Sequence, residues 1–117
     1  TTSDQIEAVL TRLSEQGGIF DVDAKEQEIK DKEQITQQDG FWDDPKAAEK
    51  LLKEISGIKA WVADYYKAAE LNDELLVVSE FQQSGDATEA ELDEAYNKTM
   101  EAVEKLEFKN MMRDEEI

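Results

Sequence analysis

The residues of this sequence best able to do chemistry are its carboxylates, 30 in all against 13 lysines and arginines. Two clusters stand out among them: Glu91, Asp93 and Glu94, and Asp114, Glu115 and Glu116. Carboxylate oxygens can bind Mg²⁺ or Ca²⁺, and a pair of carboxyl groups can act as acid and base. The chain contains no histidine and no cysteine, so it lacks the commonest general base and the Glu-x-x-His pattern of helical-bundle metal sites.

We interpret both clusters as a solvated helix face or tail. The sequence therefore predicts no catalytic residues, no cofactor-binding residues, no metal ligands and no cofactor, and the chain is not expected to be an enzyme. A carboxylate metalloenzyme stays open as an alternative, which titration with Mg²⁺, Mn²⁺ or Ca²⁺ would test.

Three further motifs have a functional and a structural interpretation. Asp21-x-Asp23 resembles the start of a calcium-binding loop, but the sixth position is Glu26 where such loops need glycine, so we reject that site. Gln16-Gly17-Gly18 reverses the order of a Gly-Gly-Gln loop and directly follows a helical pattern, so it is interpreted as a helix stop. Tyr65 and Tyr66 are expected in the core.

The overall charge restricts the kind of partner. A net charge of −17 repels phosphate backbones, so direct nucleic-acid binding is not expected and basic proteins are better candidates. No apolar run approaches membrane-spanning length and no signal peptide is visible, which favours a soluble, cytoplasmic protein without a membrane partner.

The first part of the chain predicts two short helices. Residues 2–15 form an amphipathic pattern capped by Ser3 and ended by the glycine pair, with one face of Ile6, Val9, Leu10 and Leu13. Ile19 and Phe20 are expected to pack in the connector. Residues 22–37 form a polar helix capped by Asp21 or Asp23, with three apolar anchors: Val22, Ile29 and Ile35.

A long helix is predicted from Pro45 to about Gln82. Asp44 precedes the only proline and suits the N-cap, with Pro45 at the first helical position. Phe41 and Trp42 are interpreted as an aromatic plug near Ala48 and Leu51, the alternative being an exposed partner contact.

The long helix carries an alternating three-four spacing typical of supercoiled helices. The positions that form this seam are Ala48, Leu51, Ile55, Ile58, Val62, Tyr65, Ala69, Asn72 and Leu76. The residues that widen the seam are Leu52, Trp61, Tyr66 and Val77.

A turn and a second long helix follow. Ser84-Gly85-Asp86 has turn chemistry, and Thr88-x-x-Glu91 predicts a capping box. The spacing then continues through Leu92, Tyr96, Thr99, Val103 and Leu106, with Ala95, Met100 and Ala102 alongside.

These elements predict an all-α fold, an antiparallel helical bundle or coiled coil built on two long helices plus two shorter N-terminal helices. A short turn between long helices makes them antiparallel neighbours. Residues 1–117 are expected to form a single helical domain, and the last eight residues suggest a chain that continues into another domain.

Three blocks of sequence carry a family resemblance. They are "FDVDAKEQEI" at 20–29, "FWDDPKAAEKLLKE" at 41–54 and "LEFKNMM" at 106–112. In this order and at these distances they closely resemble the N-terminal domain of the bacterial peptide chain release factor 2 family, which are class I release factors. Gly17-Gly18 departs from that family, which more often has basic and aromatic residues there.

The resemblance implies a role in translation termination. Full-length members recognise UGA or UAA codons on the ribosome and trigger peptidyl-tRNA hydrolysis, through a Ser-Pro-Phe tripeptide and a Gly-Gly-Gln loop that this sequence does not contain. The implied partners are the ribosome, at the protein region of the large-subunit stalk base, and functionally the GTPase release factor. A freestanding acidic coiled-coil adaptor or structural protein is the alternative that the charge and the seam leave open.

Overall fold

The computed structural model describes the backbone of residues 1–115 and the side-chain surroundings of residues 1–112. Four α-helices account for nearly all of this part of the chain: α1 (Ser3–Phe20), α2 (Val22–Thr36), α3 (Pro45–Gln83) and α4 (Glu89–Glu115). A short 3₁₀ helix, Phe41–Asp43, precedes α3, and residues 1–115 contain no strand. The predicted all-α class is confirmed.

The chain separates into two compact units. The first, here the three-helix unit, comprises Thr1–Ile19 and Asp64–Ile117, and so contains most of α1, the later part of α3, and α4. The second, here the α2 unit, comprises Phe20–Ala63 and contains α2 and the earlier part of α3. The single domain expected over 1–117 stays a prediction.

The start and end of α1 differ from the prediction. The N-cap is Thr2 and not Ser3, because the backbone N–H of Gln5 donates to Thr2 Oγ1 (3.2 Å) and that of Thr2 donates to Gln5 Oε1 (2.7 Å). The helix then runs through Gly17 and Gly18 to Phe20, so the predicted stop is wrong.

The reason that Gly17 is a glycine is a close contact. A Cβ atom built on Gly17 would lie 2.6 Å from Oη of Tyr65 and 3.0 Å from its Cζ, so the tyrosine side chain would have to shift to accommodate it. Both glycines of the pair keep φ negative, since the positive-φ glycines are Gly40 and Gly85. Glycine here lets α1 approach the tyrosine and does not end the helix.

One apolar cluster forms the core of the three-helix unit, and its buried members are Ile6, Val9, Leu13, Ala68, Leu75, Leu92, Val103 and Leu106. The α4 pattern is confirmed by the burial of Leu92, Thr99, Val103 and Leu106, and Tyr65 packs against the cluster as expected. Leu10 is 38% exposed, so its assignment to the buried face of α1 was wrong.

The predicted seam of α3 is confirmed in its earlier part and wrong at its end. Ala48, Ile55 and Val62 are buried in the α2 unit, and the seam residue Asn72 is buried in the three-helix unit. Leu76, the last seam position, is exposed, and so are three of the residues predicted to widen the seam: Leu52, Tyr66 and Val77. Ala68 and Leu75, both 0% exposed, take the central positions in the three-helix unit. A strict heptad row rotates by about 20° per heptad around an α-helix of 3.6 residues per turn, so the predicted row leaves the core.

Helices α3 and α4 of the three-helix unit are antiparallel, as predicted. Thr99 Oγ1 donates to the carbonyl of Leu71 at 3.0 Å, and Lys109, further along α4, pairs with Asp64, earlier on α3. The connecting turn places Gly85 at φ 84°. The capping box is confirmed, because the N–H of Glu91 donates to Thr88 Oγ1 (3.1 Å) and the N–H of Thr88 to Glu91 Oε1 (3.3 Å).

The α2 unit has a smaller apolar centre. Asp21 caps α2, as predicted, by accepting the N–H of Ala24 (3.2 Å) from a left-handed backbone with φ 44°. Phe20 stacks on Trp61 with ring centroids 4.1 Å apart, and Ile29 is buried. Ile35 is 44% exposed, so its assignment as an anchor was wrong, and the same holds for Ile19, 67% exposed, in the three-helix unit.

The start of α3 follows the prediction in its cap and departs from it in its aromatics. Asp44 Oδ1 accepts the N–H of Ala47 at 3.2 Å, and Pro45 opens the helix. Phe41 and Trp42 pack edge to face, 5.1 Å between centroids, but Trp42 is 65% exposed. Trp42 is therefore not a buried plug, and the alternative, an exposed partner contact, stays a prediction.

Candidate functional site

The carboxylate cluster at the start of α4 is divided among separate structural tasks. Glu91 belongs to the capping box, and Glu94 pairs with Lys98 on its own helix at 3.3 Å. Asp93 accepts from the amino group (2.7 Å) and the hydroxyl (2.6 Å) of Thr1. The hydrogen bond from this amino group lowers the pKa of the Asp93 carboxyl, and the bond to Asp93 raises the pKa of the amino group.

This division gives each carboxylate of the first cluster a different partner, so the three are not gathered around one point. Across the described residues, no group of three or more histidine, cysteine, aspartate or glutamate side chains is arranged to hold an ion. The second cluster, residues 114–116, lies outside the part of the chain whose side chains are described.

The Gln16-Gly17-Gly18 motif is part of the packing between helices. Gln16 is 7% exposed and its Oε1 accepts from Nδ2 of Asn110 on α4. Gly17 lies against Tyr65 of α3. A buried glutamine already engaged by another side chain is not positioned to orient a water at the surface, which agrees with a structural interpretation of these residues.

An open groove runs between α3 and α4 of the three-helix unit, with a volume of about 460 Å³. Leu71 and Ala102 form part of its lining, and Lys67, Lys98 and Lys105 contribute ammonium groups against the carboxylates of Asp64 and Glu101. Lys105 lies 3.7 Å from Asp64, which Lys109 also contacts. The groove is weakly positive in a strongly negative chain, and nothing in its lining pairs a nucleophile with a base.

Exposed apolar side chains are the more prominent feature of the described surface. In the α2 unit they are Ile35, Trp42 and Leu52; in the three-helix unit they are Leu10, Ile19, Tyr66, Leu76, Val77, Phe81, Phe108, Met111 and Met112. Single exposed apolar residues are ordinary on proteins, but several on one helix face indicate a contact surface. These side chains are therefore candidate contact residues.

Sequence reasoning missed the surface on α3. Val77 and Phe81 are one helical turn apart, and the exposed face that they share also carries Glu70, Asp73 and Glu80. The sequence analysis placed Val77 at the edge of the seam, so it did not identify this exposed row of apolar and acidic residues. The signal available in the sequence was the acidic neighbours, since carboxylates do not share a face with core residues.

Comparison with known proteins finds a partial similarity to a named protein. Over 56 residues the chain is 41% identical to peptide chain release factor 2 of Chlamydia trachomatis serovar A (strain ATCC VR-571B / DSM 19440 / HAR-13). The matched region is 48% of this chain but only 14% of that protein. No protein-family profile and no solved structure matches the chain. In the described residues, no helix is both long enough and apolar enough to cross a membrane.

Proposed function

We propose that this chain is the N-terminal domain of a translation termination factor of the release factor 2 type. The observation that carries the proposal is the similarity over 56 residues, 41% identical, to a protein named as peptide chain release factor 2. The all-helical fold agrees with the helical first domain that the sequence blocks imply. In full length, such a factor would recognise UGA and UAA codons on the ribosome and trigger peptidyl-tRNA hydrolysis in the cytoplasm.

Within that factor, the chain acts as a docking module and has no catalysis of its own. The residues that decode and that promote hydrolysis belong to motifs outside this sequence. Exposed aromatic and aliphatic side chains on an acidic surface suit contact with basic protein. The partner proposed from the resemblance is the protein region at the stalk base of the large ribosomal subunit, with a functional link to the GTPase release factor.

Two assays on purified ribosomes test this proposal. Ribosomes stalled at UGA with labelled peptidyl-tRNA are mixed with this chain, with an intact release factor 2, or with both. We expect no peptide release from the chain alone and slower release by the intact factor when the chain is in excess. Release by the chain alone would overturn the absence of catalysis.

The second assay measures binding directly. Co-sedimentation with ribosomes should detect the chain, and ribosomes depleted of their stalk-base protein should retain less of it. A chain that does not sediment with either kind of ribosome would overturn the docking role. The acidic adaptor hypothesis makes a different prediction, namely a gene without a downstream Gly-Gly-Gln motif, which sequencing beyond Ile117 tests.

A further inference from the structure

One face of α3 in the three-helix unit combines apolar and acidic side chains in a single row. Tyr66, Val77 and Phe81 are 50%, 48% and 51% exposed, and Glu70, Asp73 and Glu80 are exposed beside them. The spacing of three and four residues places these six on one side of the helix. We call this row, residues 66–81, the α3 stripe; at 1.5 Å per residue it is about 22 Å long.

The carboxylates of the stripe form no ion pairs with the described residues. In the described part of the chain, no lysine or arginine lies within ion-pair distance of Glu70, Asp73 or Glu80. The last turn of α3 contains no basic residue, although a helix C-terminus carries partial negative charge. The carboxylate of Glu80 is repelled by this partial charge. A cationic side chain of a partner would reduce the repulsion.

The pattern of the stripe selects one kind of occupant. Tyr66 lies at one end and Val77 with Phe81 at the other; Glu70 and Asp73 lie between these apolar ends, and Glu80 lies beside Phe81. A helix with apolar residues at both ends of one face and lysines or arginines between them would match this order. The net charge of −17 attracts such a segment and repels phosphate backbones.

We propose that the α3 stripe binds a basic amphipathic helix of another protein. This inference deepens the proposed function by assigning the chemistry of the partner and the surface that it meets, but the binding does not depend on the partner being ribosomal. The apolar contacts contribute the affinity, and the carboxylates contribute the association rate and the choice of partner.

The first test uses a synthetic peptide of about 18 residues, with lysines and leucines arranged in the matching helical order. Fluorescence anisotropy measures its affinity, with a scrambled peptide of the same composition, a glutamate-leucine peptide and an RNA oligonucleotide as comparisons. We expect the ordered basic peptide to bind at least about tenfold more tightly than each of the other three, and less tightly as salt rises. Equal affinity for the scrambled peptide, or preferred binding of RNA, would overturn the proposal.

Paired variants then locate the binding surface. Val77→Ser with Phe81→Ser should weaken the ordered peptide about tenfold or more, and Glu70→Lys with Asp73→Lys should weaken it and reduce its salt dependence. The matched controls are Phe108→Ser with Met111→Ser, exposed apolar residues of α4, and Asp4→Lys with Glu7→Lys, exposed acids of α1. Circular dichroism verifies that each variant keeps its helices. Controls that weaken binding as much as the stripe variants would overturn the assignment.

Two further measurements separate this inference from its alternatives. Sedimentation equilibrium of the chain alone tests whether a second copy covers the stripe; a dimer that Val77→Ser with Phe81→Ser dissociates would overturn the proposal of a different protein. Ribosome co-sedimentation of the same variant separates the two proposals. Ribosome binding that the variant leaves unchanged overturns the stripe as the docking surface, whereas peptide binding without ribosome binding overturns only the proposed function.

Discussion

The two units of this chain differ in how completely they bury their apolar side chains. The three-helix unit buries Val9, Ala68, Leu75 and Val103 completely, each 0% exposed, in one continuous cluster. In the α2 unit most buried apolar residues keep 6–9% of their surface exposed. A pair of helices has fewer neighbours for each apolar residue than three helices do, so the α2 unit buries less.

In the α2 unit, charged side chains flank the apolar contact between α2 and α3. Lys32 contacts Glu28 at 3.0 Å and Glu54 at 3.2 Å, and Lys59 contacts Glu33 at 3.3 Å, so that ion pairs join α2 to α3. Pairs as exposed as these contribute at most about 1 kcal/mol each. The three-helix unit is therefore stabilised mainly by buried apolar side chains. The α2 unit relies on the stacking of Phe20 on Trp61 and on these ion pairs, here called its charged border.

The largest test of this contrast compares one buried residue from each unit. Leu75→Ala should lower the free energy of unfolding by about 3–4 kcal/mol, since it leaves a cavity where neighbours are packed, and Ile29→Ala in the α2 unit by about 2 kcal/mol. Urea unfolding measures the loss, and amide hydrogen exchange locates it. Equal losses, or slower exchange in the α2 unit than in the three-helix unit, would contradict the comparison.

A buried amide provides a test with the opposite sign. Asn72 is 2% exposed and its Oδ1 has no hydrogen-bond partner among the described residues, so Asn72→Leu should raise the free energy of unfolding by about 1–2 kcal/mol. The control is Thr99→Val, which removes the donor to the Leu71 carbonyl and should cost about 1 kcal/mol. Thermal unfolding of both variants checks the signs; a destabilised Asn72→Leu would indicate that the amide is satisfied in solution.

Glycines within the helices allow a smaller test. Apart from its own stretch of helix, nothing lies within 4 Å of a Cβ placed on Gly18 in α1 or Gly57 in α3, so alanine at either position should stabilise by up to about 1 kcal/mol. Gly17→Ala should instead destabilise by about 1 kcal/mol, because Tyr65 must move. Chemical unfolding of the three variants decides the matter, and a stabilising Gly17→Ala would show that the tyrosine contact is not tight.

The smallest effect concerns pH and the charged border of the α2 unit. The hydrogen bond from Lys32, and then that from Lys25, lowers the pKa of Glu28 below its ordinary value of 4.5. A lowered carboxyl pKa stabilises the fold above the unfolded value, and this stabilisation is lost as pH falls through the folded value. Glu28→Gln should therefore cost less than about 1 kcal/mol at neutral pH and nothing at a pH below both values. Unfolding midpoints at the two pH values test this, and a difference that persists in acid would contradict it.

Local signals in the sequence were sufficient for the helix types and for most caps. Asp21, Asp44 and the Thr88–Glu91 box act through atoms within three residues, so the sequence pattern contains them in full. The fate of Gly17-Gly18 depended on Tyr65, 48 residues away, and no local rule reveals that contact. The end of α1 is therefore set by long-range packing, which local helix propensity does not contain.

The same limit applies to the candidate contact surface. A heptad row indicates that one side of a helix is apolar, but which partner helix that side meets depends on the whole fold. Leu76 was assigned to the row itself and Tyr66 and Val77 to its edge, but the structure exposes all three. The absence of a histidine or cysteine, by contrast, is visible directly in the sequence, which is why the expected chemistry could be limited to carboxylates.

The bond between Thr99 and the carbonyl of Leu71 has a mechanical consequence. Leucine and valine side chains alone would let α4 slide along α3 by one turn and pack again, since apolar contacts have little direction. The hydroxyl has a fixed reach, and together with the contact of Lys109 on Asp64 it resists such sliding. Force applied along the helix axes therefore acts on these bonds in shear, and we expect α3 and α4 to keep their relative position under tension.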